Sequence, residues 1–325
     1  MIFKRPELYH GQSQKRPFFE GWYHKMSSKN GEAFVLIPGI YRSGANNNQT
    51  AFLMFYQGSS GRVDYMPYKV EEFQCNANSY KLKLGNNYFS LERVVLDFKN
   101  EDLSVKGEIS ANKLNPWPVS LIERGCMGWY GYVPTMECFH GILSMNHNLS
   151  GYLDINGDRI DLNQGVGYIE KDWGRNFPKD WVWAQSNNFN EPQLSISASL
   201  ATIPWKNYEF SGFIVGVQYQ EKLYRFTTYN FSKILKIKFE NDTLFWVIKK
   251  GSLQLEIKIK AGSKSGILYA PDKTGMVPKV REYLDGELSF VLKKDGKKIL
   301  DKSSGQSAVE IVGRPDRLID NAIKG

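Results

Sequence analysis

Gly167-Tyr168-Ile169-Glu170-Lys171-Asp172-Trp173-Gly174-Arg175-Asn176-Phe177-Pro178-Lys179-Asp180-Trp181-Val182-Trp183-Ala184-Gln185-Ser186-Asn187 is the densest run of functional residue types in the chain. Read as extended backbone, side chains at every second position share a face. Trp181, Trp183, Gln185 and Asn187 then fall together, with Val182, Ala184 and Ser186 opposite. Upstream, the same period groups Tyr168, Glu170 and Asp172, with Trp173 following the two carboxylates. A strand that needs only bulk would use Val, Ile and Leu, whereas Gln and Asn require partners once buried. Carboxylates beside indoles and carboxamides suit an apolar ligand with a few polar handles. The competing structural reading pairs Glu170 and Asp172 with Lys171, Arg175 or Lys179 and leaves the tryptophans in a core.

Outward from this run the chain keeps a short, alternating rhythm. Phe18-Phe19-Glu20-Gly21-Trp22-Tyr23-His24-Lys25 opens a first strand and places Glu20, Trp22 and His24 on a common face; Asn30-Gly31 then turns into residues 33–37. Residues 50–57, 80–84 and 88–95 continue the pattern, and 152–162 form a hairpin around Asn156-Gly157. Leu194 to Leu200 alternate strictly, with Ser195, Ser197 and Ser199 on a side read as solvent-facing. Residues 212–219, 244–248 and 253–259 follow, then a hairpin around Asp295-Gly296; only 314–323 has room for a short helix. Many short strands between turn signals predict an all-β chain of two consecutive antiparallel barrels or sandwiches. Phe18 precedes Trp22 as Phe177 precedes Trp181, an echo that suggests two similar β domains, 1–175 and 176–325, with a ligand cavity at or near their junction. Glu170 and residues 181–187 are expected to line one cavity together with Glu20, Trp22 and His24.

A chain of 325 residues with 42% apolar content has room for two domains and a substantial core. The formal charge of +8 is spread over scattered lysines without a block of five like charges. A solvated surface ranks first, a transient contact with an anionic membrane surface second, and nucleic-acid binding a distant third. Cys75, Cys126 and Cys138 form no CxxC pair and fit a reducing compartment. The first twenty residues have no apolar core of a signal peptide, and no run reaches the roughly 18 apolar residues of a spanning helix, so a cytoplasmic location is expected. Cys138, His140 and His147 match no usual zinc spacing, and Gly165-Val166-Gly167 fails as a phosphate loop because Glu170 takes the third glycine's place. No metal, nucleotide, nicotinamide or flavin is therefore expected. Glu137 and His140 read as pocket or hydrogen-bonding residues, and Trp117, between Pro116 and Pro118, as a loop anchor.

Several of these stretches carry a resemblance. The Phe18 to Tyr23 motif, the 167–187 run, Ala270-Pro271 with Gly286-Glu287-Leu288, and residues 303–313 (SSGQSAVEIVG) together resemble the tocopherol cyclase family, in the family's order. Gly128-Trp129-Tyr130 through Met136-Glu137-Cys138-Phe139-His140-Gly141 is more similar to the bacterial members than to the plant enzymes. More distantly the family resembles the double lipocalin-like folds of carotenoid hydratases and pericyclase-type cyclases. The resemblance implies cofactor-independent ring closure on a prenylated hydroquinone: an acid protonates the prenyl alkene, a tertiary cation forms, and the phenol oxygen adds. Such chemistry needs a positioned acid, π faces or carboxylates beside the cation and a dry site. Plant members tend to carry an amide where this chain has Asp172, which makes Glu170 the first choice of acid, with Glu20 and Asp172 behind it. Hydration or isomerisation of another isoprenoid-bearing substrate fits the same residues. A carrier that holds a small hydrophobic ligand without chemistry is the alternative.

Overall fold

The computed structural model describes residues 5–12, 16–45, 48–205 and 207–324. The chain divides into two compact units, one comprising Met1–Phe177 with Leu268–Lys279 and the other Pro178–Ile267 with Val280–Gly325. Each is an antiparallel sheet curled around its own apolar core, the two-barrel all-β architecture expected from the alternating strands.

In the first unit, Arg62–Tyr68, Gln49–Gln57, Ala33–Arg42, Phe18–Ser27, Val166–Gly174, Cys138–Ile155 and Ser104–Asn112 lie side by side in that order. Arg93–Lys99, Asn87–Ser90, Lys81–Leu84 and Phe73–Cys75 continue the sheet. Phe55 and Phe98 belong to strands far apart in this order, yet their rings meet edge-on at 5.9 Å, so the sheet closes on itself. Period-two burial produces the inside: Trp22, Met26, Leu36, Leu53, Leu82 and Ile169 all join one core. The hairpin at Asn156-Gly157 has φ of 56° and 94°, the double positive value that a two-residue turn of matching twist requires. Leu268–Lys279 belongs to this unit through Tyr269, whose ring stacks on Tyr65 at 4.4 Å, and through Asp272, whose carbonyl accepts the Tyr41 hydroxyl at 2.5 Å.

The second unit places Trp181–Ser186 between Leu194–Trp205 and Lys297–Val312. Phe213 and Trp246, again from distant strands, meet edge-on at 5.6 Å inside it. The tail forms the helix Pro315–Lys324, where expected, and docks through buried Leu318, whose carbonyl accepts the Ser211 hydroxyl at 2.6 Å. Asp180 anchors the helix start by accepting the Arg314 backbone N–H at 2.9 Å and the Arg317 Nε at 3.0 Å.

Two expectations are corrected here. Ser195 and Ser197 are buried rather than solvent-facing, because they sit across from Gln218 and Gln185 on a covered side of the sheet. The echo between Trp22 and Trp181 is one of position only. Trp22 points into its barrel core, whereas Val182 and Ala184 fill the second core and Trp181 lies on the reverse face.

Candidate active site

Strand Val166–Gly174 runs between Phe18–Ser27 and Cys138–Ile155, and its register decides which residues meet. Directly opposed residues share a face. Tyr168, Glu170 and Asp172 stand across from Lys25, Tyr23 and Gly21, and on the other flank Glu170 and Asp172 stand across from Ile142 and His140. Ile169, Lys171 and Trp173 point the other way, across from His24, Trp22 and Glu20. The residues grouped by the sequence reading therefore separate. Glu20, Trp22, His24 and Trp173 belong to the barrel interior, while Tyr168, Glu170, Asp172 and His140 occupy the outer face, so the first three do not line one cavity with Glu170.

On the interior face Lys171 has no exposed side-chain surface and forms an ion pair with Glu20, which is equally enclosed. Its ammonium also donates to the carbonyls of Pro6, at 3.0 Å, and Leu8, and lies 2.8 Å from His10 Nδ1. Trp22 and Trp173 offer their π faces at 4.6 and 4.8 Å. Both Glu20 oxygens accept the His10 backbone N–H at 3.0 Å. Burial alone would push the Glu20 carboxyl up, but Lys171 and His10 outweigh it and hold the group below its ordinary value. Burial draws Lys171 down, and the Glu20 carboxylate opposes it. Glu20 is thus an ionised structural anchor for the segment before the first strand, and no free proton resides there. His24 hydrogen-bonds the Tyr80 hydroxyl at 2.7 Å, and burial, aided by His147, pushes its imidazole down to about 3.

On the outer face the groups form a cluster of two hydrogen-bonded pairs. The Tyr168 hydroxyl donates to Glu170 Oε2 at 2.5 Å. His140 Nε2 lies 3.7 Å from that same oxygen, and His140 Nδ1 lies 3.0 Å from Asp172 Oδ1. A hydrogen on Nδ1, facing Asp172, leaves Nε2 as the basic nitrogen, turned toward Glu170 but beyond direct hydrogen-bond distance. Glu170 and Tyr168 are buried, whereas His140 and Asp172 keep 15% and 22% of their side-chain surface exposed, so the cluster runs from a wetter to a drier end. One ligand atom from each of His140, Glu170 and Asp172 lies within 4.8 Å of the others, close enough to share a small divalent cation. His147, grouped with His140 as a metal candidate by sequence alone, is elsewhere: its Nδ1 meets Ser144 Oγ at 3.0 Å. Cys126 and Cys138 adjoin the cluster but are kept as neutral thiols, their titration pushed up by burial and by the neighbouring carboxylates.

Glu137 brings its carbonyl, which accepts the Arg175 N–H at 2.7 Å, and its carboxylate, which helps to push up the Cys138 thiol. In the second unit Trp181, Trp183 and Gln185 do share a buried face, with Ser197, Ser199 and Glu310 as direct partners, and Asn187 follows, also buried. Trp181 Nε1 donates to Glu310 Oε2 at 2.6 Å, and Glu282, fully buried, pairs with Glu310 across the ladder. Sequence reasoning missed Lys25, His10 and both of these glutamates. Lys25 alone had a local signal, since it begins the face that Tyr23 continues.

The Tocopherol cyclase-like family model matches residues 97–313. Tocopherol cyclase, chloroplastic, of Zea mays is 24% identical over 374 residues, covering 94% of this chain and 77% of that protein. Probable tocopherol cyclase, chloroplastic, of Oryza sativa subsp. japonica is 24% identical over 369 residues, covering 94% of this chain and 78% of its own. Among solved structures, that of CghA with Sch210972 superposes with a TM-score of 0.57 at 9% identity, covering 91% of this chain and 89% of that one, a likeness of fold alone.

Proposed function

The chain belongs to the tocopherol cyclase-like family, and from that premise we propose that it is a cofactor-independent, acid-catalysed cyclase acting on a prenylated quinol or a similar isoprenoid-bearing phenol. The observation that carries this reading is the cluster in which buried Glu170 accepts the Tyr168 hydroxyl and faces His140, a histidine held by Asp172. Glu170 transfers its proton to the less substituted carbon of the prenyl alkene, leaving a tertiary cation. The new carboxylate, held by the Tyr168 hydroxyl, and the ring of Tyr23 across the ladder face that cation. The phenol oxygen then closes the ring, and its proton returns to Glu170 through His140, whose ring Asp172 orients. One proton is given and one is regained, and no electron changes hands. Water adding to the same cation gives hydration, and loss of a neighbouring proton gives isomerisation, so Glu170 serves all three outcomes.

Glu170→Gln keeps the shape and the hydrogen bond from Tyr168 but removes the transferable proton. Turnover of a prenylated quinol should fall by about 100-fold or more, with quinol binding little changed. An unimpaired Glu170→Gln protein would remove Glu170 from the role. Wild-type protein that binds prenylated quinols tightly yet converts none of a broad panel would favour the carrier.

A further inference from the structure

Residues 114–136 carry only two charged side chains, Glu123 and Arg124, in a chain that is 23% charged. Within this segment Leu121 and Ile122 are 69% and 79% exposed, and Val119, Trp129 and Tyr132 join them at the surface. Side chains of this kind do not ordinarily stand together in water unless something covers them. Nor is the segment loose. Ser120 N–H donates to the Glu123 carbonyl at 2.8 Å, the Ser120 hydroxyl accepts the Glu123 N–H at 3.1 Å, and the Tyr132 hydroxyl donates to the Leu121 carbonyl. The one cation is folded down: Arg124 donates to the Gly131 carbonyl at 2.9 Å and lies 3.4 Å above the Tyr132 ring. Trp117, 1% exposed, pins the base, and its backbone N–H donates to the Ile142 carbonyl at 3.3 Å. The result is a braced turn with an aliphatic tip, aromatic shoulders and no net charge.

We infer that this turn is a membrane-inserting spike: Leu121 and Ile122 enter the acyl boundary of a bilayer and Trp129 and Tyr132 lie at headgroup depth. Trp and Tyr suit that depth because one end of each is apolar and the other polar. The positive charge of the whole chain, +8, supplies a longer-range attraction to an anionic lipid surface. The spike is also continuous with the candidate active site. Cys126, buried a few residues from the tip, reaches the His140 carbonyl with its thiol at 3.2 Å, on the strand that carries His140 against Asp172. On this inference a lipid drawn from the bilayer along this turn arrives beside the cluster of His140, Asp172 and Glu170. That delivery role rests on the function proposed above; the membrane contact does not.

The test uses the full chain and extruded vesicles of phosphatidylcholine, with and without phosphatidylglycerol. Wild-type protein should co-sediment with vesicles, more strongly when phosphatidylglycerol is present, and Leu121→Ser/Ile122→Ser should lower the vesicle partition coefficient at least about tenfold without shifting the thermal midpoint. Phe231→Ser, which removes a 94% exposed aromatic from the second unit, should leave binding unchanged. Absence of vesicle binding by wild type, or equal binding by the double variant, overturns the inference. So does a self-associated species that the double variant abolishes while vesicles remain unbound. In a parallel arm the double variant should turn over a short-chain prenylated quinol in solution at the wild-type rate but lose turnover of the same headgroup embedded in vesicles. Failure of both proteins on both substrates would sink the proposed reaction and leave the sedimentation result to decide the membrane contact.

Discussion

Lys171 illustrates how much a single side chain decides in this protein. It is an ammonium without exposed surface, satisfied by Glu20, two carbonyls and two indole faces. Removing one partner of such a pair leaves the other charge buried and alone. Lys171→Met should therefore cost about 3–5 kcal/mol in urea unfolding, and adding Glu20→Gln should restore part of that loss. His24 and His147 set the acid limit. Burial holds both imidazoles at about 3 in the folded chain, against about 6.5 when unfolded. The unfolded chain thus binds protons that the folded chain refuses. Their contribution is complete above pH 6.5 and is lost as the pH falls, by about 1.4 kcal/mol per pH unit for each imidazole, down to about pH 3. Unfolding free energies from urea titrations at pH values from about 6.5 down to about 4 should decline along that slope, and His147→Gln should make the decline shallower. The two carboxylates of the outer face, by contrast, were legible from period two alone, and His140 was read as a pocket or hydrogen-bonding residue; that the three meet was not legible, since His140 lies 32 residues from Asp172 in the chain.

Among the elements, the pairing of Cys138–Ile155 with Val166–Gly174 carries the site, and it begins at Gly174. There φ is 152°, and a Cβ would stand 2.2 Å from the Glu137 carbonyl oxygen. Gly174→Ala should cost about 2–4 kcal/mol. Because Cys138 pairs with Gly174 and His140 with Asp172 two residues on, turnover should fall beyond what the loss of folded protein explains. Gly157 is the control: its φ is also positive, at 94°, but nothing lies within 4 Å of a Cβ, so Gly157→Ala should cost only about 1–2 kcal/mol and leave turnover intact. Thermal unfolding of both variants, with activity measured per folded molecule, checks the contrast. The turn residues Asn156-Gly157 and Asp295-Gly296 could be read in advance because positive φ at both positions is a local demand. The length of strand Cys138–Ile155 could not, since its run of His, Ser, Asn and Gly has no strand signature and is held extended by its two neighbours.

For the whole molecule, the proposed chemistry neither consumes protons nor moves electrons. Because the proposed acid is a side chain of the protein itself, Glu170, turnover should survive exhaustive chelation; loss on chelation, recovered by one divalent metal, would place a cation between His140, Glu170 and Asp172. None of the described helices is long and apolar enough to cross a membrane; the proposed lipid contact is the exposed turn around Leu121 and Ile122. The amino-acid sequence by itself determined the all-β class, the hairpin turns, the terminal helix and the grouping of Tyr168, Glu170 and Asp172, because each follows from a residue's own dihedral preferences or from the two-residue period of a strand. Tertiary structure decided which face of Val166–Gly174 turns to the core, and hence that Glu20 is a salt-bridged anchor while Glu170 meets His140. It also decided that Leu268–Lys279 completes the first unit. A strand's alternation is the same whichever side is buried; only register against strands distant in sequence, fixed by the closure of each sheet around its core, breaks that symmetry.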